Sequence, residues 1–179
     1  SIGQFVEIFK EPGEYLYVSI SAHFSSSLHD AQLAATHCPD SKVYFVDSKN
    51  LSTGIGHVAI RAAELRDQGL APEAIVKELE SFRSHVHSSF IIDTLDYLYK
   101  GGRCSSVAHL MGSMLRIRPV IEVTSEGKMD VREKTRGARK KALDALLRDY
   151  EEHLEEINPK RVFVTHTGCE GDAIYLCEE

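Results

Sequence analysis

The sequence lacks the features of several large classes of protein. No apolar run reaches the roughly 18 residues that a membrane-spanning helix needs. Basic residues are fewer than acidic ones: the chain has 21 Lys and Arg and 27 Asp and Glu, which gives a net charge of −6. This balance argues against a general nucleic-acid-binding protein, because phosphate contacts need a basic face. With 179 residues, 42% of them hydrophobic, the chain still has enough apolar material for one sizeable core or two small ones.

Motifs for metals, disulfides and common cofactors are also missing. The histidines show no metal-ligand spacing with acids or cysteines, and Gly54-x-Gly56 lacks the third glycine of a dinucleotide fingerprint. We therefore expect no metal and no cofactor. Cysteine is scarce, and without a C-x-x-C pair it predicts reduced thiols in a cytoplasmic protein. The four cysteines are Cys38, Cys104, Cys169 and Cys177.

Three continuous apolar segments, rich in β-branched and aromatic residues, predict buried strands. They are YLYVSIS at 15–21, KVYFVDS at 42–48 and FIID at 90–93. Segments with helical spacing of apolar residues alternate with them, including one that starts at Pro72, a residue favoured at helix starts. This alternation indicates a parallel sheet with helices on both faces, so residues 1–100 are predicted to form an α/β lobe.

The pattern changes after Gly101, and residues 101–179 are predicted to form a second, α+β lobe. RIRPVIEV, a turn at 125–128 and MDVREK predict an antiparallel hairpin in which Gly127 supplies a positive φ. A helix from about 138 to 156, a strand VFVTH at 162–166 and a last helix from 172 follow. A helical stripe before the hairpin is either core or the wall of a lipid cavity, and periodicity alone leaves both open. The stripe consists of Val107, Leu110, Met111, Met114 and Leu115.

The serines after the first strand are the first candidate site. In parallel sheets, sites lie beyond the carboxyl ends of the strands. Ser25, Ser26 and Ser27 follow the first strand and open a helix, where free N–H groups and the helix dipole favour an anion. A hydroxyl there can donate to a carboxylate or a phosphate. The alternative is an ordinary helix cap with solvated neighbours.

Arg103 and a group of five cations are further candidates for binding an anion. Gly101-Gly102-Arg103 is either a helix-ending turn whose arginine pairs with a nearby acid, or an arginine placed to bind an oxyanion. Five cations also surround the start of the helix predicted from about residue 138, the end at which the helix dipole disfavours positive charge. A solvated basic face is one interpretation, and an anion or an acidic partner is the one we favour. The five are Lys134, Arg136, Arg139, Lys140 and Lys141.

Two alternatives of other classes remain. A serine-dependent hydrolase would use Ser25 with His166, although no G-x-S-x-G motif is present. A non-enzymatic regulatory module would use the basic segment as a partner-binding surface, and it would have no internal cavity.

Four stretches of the chain resemble the DegV family of bacterial fatty-acid-binding proteins, the acyl-carrying subunits of fatty acid kinases. ISAHFSSSLHDAQLAA is similar to the family's I-S-S-x-L-S-G-T-Y-x-S-A, and VDSKNLSTGIGHVAIRAAEL to its D-S-x-x-x-S-x-G-x-G helix. IIDTLDYLYKGGRCSS is similar to L-x-Y-L-x-x-G-G-R-I. MLRIRPVIEVTSEGKMDVREKTRGARKKAL is similar to the block L-x-I-K-P-I…G-K…R-G-x-K-K-A.

The resemblance implies a two-lobe fold and a carrier that does no catalysis itself. A long-chain fatty acid would lie in an apolar tunnel, with its carboxylate presented to a separate ATP-dependent kinase that forms the acyl phosphate for phospholipid metabolism. Beyond this fatty acid and this kinase, the implied partners include a transient membrane contact but no nucleic acid. Expected carboxylate-binding residues are Ser25, Ser26 and Arg103; residues facing the kinase or its phosphate are Arg136, Arg139 and Lys140; tunnel-lining residues are Leu110, Met111, Met114 and Ile121.

The chain departs from the family pattern in places. Ser26-Ser27 replaces Gly-Thr, and Leu28-His29 replaces the usual tyrosine and its neighbour. The N-terminal D-S-x-x-D motif and the C-terminal H-x-G-P-G motif are not in the sequence, while Ser1 matches the last serine of T-S-Q-P-S. His166 precedes the position of the H-x-G-P-G histidine and is not its equivalent. We therefore expect a fragment, truncated at both ends, with an incomplete binding site.

Overall fold

The computed structural model describes residues 1–105, 107 and 117–179. The chain divides into two compact units: Ser1–Ser88 with Val123–Lys128, and Ser89–Glu122 with Met129–Glu179. Residue 100, the predicted boundary of two domains, lies inside the second unit. The domain division at this residue stays a prediction, because a compact unit is not by itself a part that folds alone.

The first unit contains a two-stranded parallel sheet. Strand β1 (Glu14–Ser19) pairs with β2 (Lys42–Asp47), in a register that runs from Glu14 opposite Lys42 to Ser19 opposite Asp47. Both strands and their parallel pairing were predicted from the apolar segments, and the structure confirms them. The carboxyl ends of the two strands consequently lie at the same edge of the sheet.

Helices cover both faces of this sheet. Tyr15 and Tyr17 point into a cluster formed with the first two helices, whereas Leu16 and Val18 pack against the next two. The alternation follows from the two-residue period of a strand. Burial on both faces explains why the strands have continuous apolar sequences. The helices are α1 (Ile2–Phe9), α2 (Ser27–Ala35), α3 (Ser52–Asp67) and α4 (Pro72–Phe82).

Helix α3 is closed at its C-terminus by a glycine that follows its last turn. Gly69 has φ +81°, a conformation that glycine adopts without steric cost. Its N–H donates to the Arg66 carbonyl at 2.8 Å, and the Leu70 N–H donates to the Leu65 carbonyl at 3.2 Å. These two bonds form a Schellman motif, and Leu70 packs against the core that contains Leu65.

The second unit contains a three-stranded sheet in the order β3 (Ser89–Ile91), β4 (Ile117–Val123) and β5 (Met129–Arg136). The prediction that FIID joins the parallel sheet is wrong, because β3 pairs with β4 in the antiparallel direction. A continuous apolar segment indicates burial but not the direction of the neighbouring strand. The predicted hairpin turn is confirmed: Gly127 has φ +84°, and the Thr124 N–H donates to the Lys128 carbonyl at 2.8 Å.

Three more helices are described: α5 (Asp96–Gly101), α6 (Arg139–Glu152) and α7 (Glu170–Glu178). The predicted strand at 162–166 is absent, and Val162, Phe163 and Val164 are 49%, 41% and 37% exposed. Strand propensity reflects packing on a pleated, half-buried surface rather than a backbone preference, so composition alone does not form a strand. Within the described ranges, the chain therefore has the predicted α/β architecture, with one parallel and one antiparallel sheet and seven α-helices.

Candidate functional site

Polar side chains gather where β1 and β2 end, in the two segments 19–27 and 47–52, which we call the polar edge. The carboxylate of Asp47 binds both segments: its Oδ1 accepts from the Lys49 N–H at 2.8 Å, and its Oδ2 accepts from the Ala22 N–H at 3.4 Å. Because the strands are parallel, a single carboxylate can reach the backbone after each of them. Asp47 thus fixes the two segments relative to each other.

Asn50, only 2% exposed, is the centre of the hydrogen bonds at the polar edge. Its amide nitrogen donates to the Val86 carbonyl at 3.0 Å, and its Oδ1 accepts from the Leu51 N–H at 3.0 Å. Its own carbonyl accepts from the Ser21 N–H at 2.9 Å. A Cβ atom on Gly54 would lie 2.0 Å from Asn50 Oδ1. The first glycine of Gly54-x-Gly56 is therefore needed for close packing and not for a nucleotide.

The turn of the β4–β5 hairpin is attached to the polar edge by Ser21, which is fully buried. Ser21 Oγ donates to the Gly127 carbonyl at 2.6 Å. A Cβ on Gly127 would lie 2.6 Å from Ser21 Oγ and 3.0 Å from the Lys49 Cα. Glycine at this position therefore serves both the positive φ of the turn and the close approach of the two backbones.

The three predicted serines lie at the start of α2, and two of them are hydrogen-bonded to each other. Ser25 Oγ accepts from the Ser27 N–H at 3.2 Å and lies 2.7 Å from Ser27 Oγ. The bond between the hydroxyls uses one of their two hydrogens, so the other is available to a further acceptor. Ser26 is the N-cap residue and exposed, and its side chain makes no cap hydrogen bond. The local cap is therefore supplied by Ser25.

One buried hydroxyl at the polar edge has no hydrogen-bond partner among the described residues. Ser19 is 1% exposed, and its Oγ makes no hydrogen bond within the part of the chain that the structure describes. Ser48, also buried, is satisfied, because its Oγ accepts from the Asn50 N–H at 3.1 Å. A buried hydroxyl without a hydrogen bond is unfavourable, which makes Ser19 a second candidate donor at this edge.

Arg103 belongs to the second unit, whereas Ser25 and Ser26 belong to the first. Helix α5 ends as the sequence predicts, with Gly102 at φ +67° and its N–H donating to the Tyr99 carbonyl at 3.0 Å. The exposed Arg103 donates from Nη1 to the Gly101 carbonyl. This bond agrees with a role in the turn, and binding of an oxyanion by Arg103 stays a prediction.

Arg139 is held by two carboxylates of its own unit. Its Nη1 lies 3.1 Å from Asp93 Oδ1, and its Nη2 lies 2.5 Å from Asp172 Oδ2. Arg139 is the first residue of α6, where the helix dipole is unfavourable for a cation. The two carboxylates offset that cost. The position of this cation at the start of a helix is therefore explained without an external anion.

Lys140 is also paired, whereas Arg136 forms no ion pair with another described residue. Lys140 Nζ lies 2.8 Å from Asp144 Oδ1 and 4.3 Å from the Tyr175 ring centre. Its hydrogen bonds to Asp144 and to the Tyr175 hydroxyl raise the pKa of Lys140, and the same lysine lowers the pKa of Asp144. Arg136 is exposed and forms no ion pair with the other described residues, as is also the case for Lys134 and Lys141.

Of the predicted tunnel-lining residues, Ile121 alone can be placed. It is fully buried and packs in a cluster with Cys104 and Val107. A role in a lipid tunnel stays a prediction for it. Three others, Leu110, Met111 and Met114, lie outside the described residues.

His166 lies in the exposed segment 162–166, outside any helix or strand. Ser25 is hydrogen-bonded to Ser27. In the described ranges, no group of three or more His, Cys, Asp or Glu residues is arranged to hold a metal ion. Nor is any helix within these ranges both long enough and apolar enough to cross a membrane.

The sequence of the chain matches a known family along its length. A family model described as "Uncharacterised protein, DegV family" matches residues 1–179. The chain belongs to the DegV family. The DegV protein of Bacillus subtilis is 32% identical to it over 183 residues, which cover 99% of this chain and 64% of that protein. A DegV-domain protein of Clostridium perfringens is matched over 61% of its length, so the chain spans less than two thirds of these relatives.

Two solved DegV structures are similar to the fold described above. One is a DegV family protein from Thermus thermophilus, described by its fatty acid binding, with a TM-score of 0.73 and 30% identity over 85% of this chain and 55% of that one. The other is DegV from Bacillus subtilis, a fatty acid binding protein, with a TM-score of 0.76 and 30% identity over 87% of this chain and 56% of that one. Fatty acid binding is thus a property of DegV relatives.

The sequence did not indicate Asn50 or Ser21 as individually important residues of this DegV chain. Both are polar residues after a strand, and such residues are usually solvated. Gly54 offered the one available signal, since a glycine in the first turn of a helix weakens the helix and indicates close packing. Which residue it packs against depends on the fold and is not readable from the sequence.

Proposed function

We propose that this chain belongs to a carrier that binds a long-chain fatty acid in an apolar tunnel and presents its carboxylate to a separate ATP-dependent kinase. The kinase forms the acyl phosphate, and the carrier itself performs no catalysis. Support comes from the two DegV relatives at 30% identity that bind fatty acids. The presentation to a kinase goes beyond those relatives and follows from the sequence resemblance.

The observation that carries this proposal is the hydroxyl pair at the start of α2. A fatty acid gains about 0.8 kcal/mol for each buried CH₂ group, but its carboxylate loses hydration on entering a protein and needs donors in compensation. Ser25 and Ser27 share one hydrogen over 2.7 Å, which leaves one hydroxyl hydrogen for a carboxylate oxygen. The N-terminus of α2 adds its positive dipole end.

Native mass spectrometry of the purified protein tests for the fatty acid directly. We expect a mass increase that corresponds to one co-purified long-chain fatty acid, released by solvent extraction and identified by gas chromatography. Recovery of a ligand-free protein, together with failure to bind added oleate or palmitate, would contradict fatty acid binding by this chain.

The carboxylate contact is tested by Ser25→Ala, with Ser81→Ala as the matched control. Ser81 is an exposed serine of α4 whose hydroxyl makes no hydrogen bond with the other described residues. Loss of a hydrogen bond to a charged group corresponds to binding that is weaker by about 10- to 100-fold. We expect that loss for Ser25→Ala in a fluorescent fatty acid displacement assay and no change for Ser81→Ala. Equal affinities in the two variants would remove Ser25 from the site.

Docking of the kinase is tested by Arg136→Ala, because Arg136 is exposed and free of ion pairs with the other described residues. We expect this variant to retain fatty acid binding and to lose most of its turnover with a cognate fatty acid kinase. Arg139→Ala is the informative comparison, since Arg139 is already paired with Asp93 and Asp172. Normal turnover of the Arg136 variant would exclude the docking role.

A further inference from the structure

A small cavity adjoins Lys49 in the first unit. Its lining includes Lys49, Arg83, Ser84, His87, Thr124 and Ser125, and its volume is about 30 Å³. One water needs roughly 10–15 Å³ of such volume. The cavity therefore has room for about two to three waters, which is comparable to the two oxygens of a carboxylate or the three terminal oxygens of a phosphate group.

The charges that line this cavity are positive. Lys49 is half-buried, and its ammonium forms no ion pair or hydrogen bond with the other described residues. Arg83 is also half-buried, and its Nη1 donates to the Asp47 carbonyl at 2.7 Å. That bond fixes the guanidinium while its Nε and Nη2 make no hydrogen bond to other described residues. Partly desolvated cations of this kind favour an anion nearby.

The surrounding polar groups fit an anion better than a cation. Thr124 Oγ1 accepts from the Lys128 N–H at 3.3 Å, so its hydroxyl hydrogen remains available as a donor. No carboxylate is among the lining residues within the described part of the chain. Glu126, in the same hairpin turn, is occupied by Lys128 Nζ at 2.7 Å. That hydrogen bond is the main cause that lowers the pKa of Glu126, with smaller effects from His23 and Lys49.

The backbone of Lys49 supports the same interpretation. Its φ of +51° is uncommon for a residue other than glycine. The Asp47 carboxylate holds this conformation through the Lys49 N–H at 2.8 Å. Strained residues of this kind persist where the surrounding structure fixes them, and they concentrate at ligand sites.

We propose that this cavity binds a small oxyanion of the carboxylate or phosphate class through the Lys49 ammonium and the Arg83 guanidinium. The hydroxyls of Thr124 and Ser125 are additional donors. The anion is either free in solution or the terminal group of a larger molecule. This site shares no residue with the Ser25–Ser27 hydroxyl pair, and its test is independent of fatty acid binding.

Titration of the ¹⁵N-labelled protein with inorganic phosphate, followed by amide chemical shifts, tests the site. We expect saturable shifts at Lys49, Thr124 and Ser125. Lys49→Gln should weaken binding at least about tenfold, the effect of one hydrogen bond to a charged group. The control is Lys77→Gln, which makes the same change in net charge at an exposed residue of α4. Absence of saturable shifts with both phosphate and acetate, or equal weakening in both variants, would overturn the proposal.

Two further sets of measurements complete the test. Titrations with other anions identify the source of the anion, and a second variant keeps the test valid if Lys49→Gln fails to fold. Phenyl phosphate and acetate are titrated beside inorganic phosphate: binding of phenyl phosphate indicates a terminal phosphate group, binding of inorganic phosphate alone indicates a free anion, and binding of acetate alone indicates a carboxylate. Ser125→Ala removes an exposed hydroxyl, so it is expected to keep the fold while weakening phosphate binding several-fold. Unchanged affinity in both Ser125→Ala and Lys49→Gln would contradict the site.

Discussion

Gly54→Ala is expected to destabilise the protein, whereas Gly56→Ala, two residues later in the same helix, is expected to stabilise it. A Cβ at Gly54 would lie 2.0 Å from Asn50 Oδ1, 2.3 Å from Asn50 Cγ and 2.7 Å from Ser88 Oγ. A Cβ at Gly56 would meet no atom within 4 Å. The two substitutions add the same methyl group to α3 and differ only in what that group contacts.

The expected loss in the free energy of unfolding for Gly54→Ala has two parts. Insertion of a methyl group into a packed site costs about 1–3 kcal/mol. Displacement of Asn50 would also break its bonds with the Val86 carbonyl and the Leu51 N–H, and a buried polar group left unpaired costs about 1–3 kcal/mol. We therefore expect a loss of about 2–6 kcal/mol in the free energy of unfolding. At Gly56, the higher helix propensity of alanine should add about 0.5–1 kcal/mol.

Urea unfolding followed by circular dichroism measures both changes, read from the transition midpoint at an unchanged slope. A double-mutant cycle with Asn50→Ala then identifies the contact. If Asn50 is the obstacle, Gly54→Ala should cost much less in the Asn50→Ala background, where the contacts with Asn50 Oδ1 and Cγ are gone and the Ser88 Oγ contact remains. Equal stability of the Gly54→Ala and Gly56→Ala variants, or an additive cycle, would refute the proposed packing.

Two further predictions concern the hairpin turn and the exposed face of the first unit. Gly127→Ala should cost more stability in urea unfolding than Gly137→Ala: both glycines have a positive φ, but a Cβ would meet Ser21 Oγ at 2.6 Å at Gly127 and nothing within 4 Å at Gly137. The loss in the free energy of unfolding should be larger for Gly127→Ala by about 1–3 kcal/mol. Equal losses in the two variants would exclude a role for the Ser21 contact. The hydrogen bonds from Lys42 and from the Tyr44 hydroxyl lower the pKa of Glu73 to about 2, so the charged carboxylate stabilises the fold above its ordinary pKa of about 4.3 and this contribution is lost as the pH falls towards 2. The melting temperature should therefore change less with pH between these values in Glu73→Gln than in the unsubstituted protein. An equal change in the two proteins would contradict the pairing.

The elements of the first unit were predictable because their sequences depend on burial alone. Strands β1 and β2 are covered on both faces, which produces continuous apolar segments, and α4 has a clear apolar stripe that includes Ile75 and Leu79. The end of α3 was predictable because Gly69 takes a conformation that few other residues adopt. Each of these signals is local, so no knowledge of the fold was required to interpret it.

The predictions that were wrong concern properties that depend on a partner distant in the sequence. The apolar segment at β3 does not specify whether its neighbour runs parallel or antiparallel, and VFVTH has strand composition but forms no strand. At the polar edge, the start of α2 and its serines were predictable. The Ser21–Gly127 bond was not, because it joins residues 106 positions apart. The pairing of Arg139 with Asp93 and Asp172 depends on the fold in the same way.

The hydrogen bonds of the polar edge distinguish the residues that build the site from those able to bind a ligand. Asn50 and Ser21 donate side-chain hydrogen bonds within the protein, to the Val86 and Gly127 carbonyls, so their substitution should reduce stability and change ligand affinity only through the fold. The Ser25–Ser27 pair retains one unused hydroxyl hydrogen, and Ser19 Oγ has no partner among the described residues. Because a ligand can be held only by donors that the protein has not already used, these hydroxyls are the ones whose removal should weaken binding. Removal of Ser19 Oγ should leave unfolding nearly unchanged, whereas removal of Ser25 Oγ should also cost the cap of α2, about 0.5–2 kcal/mol. A variant set that divides in this way would distinguish a binding edge from a purely structural one.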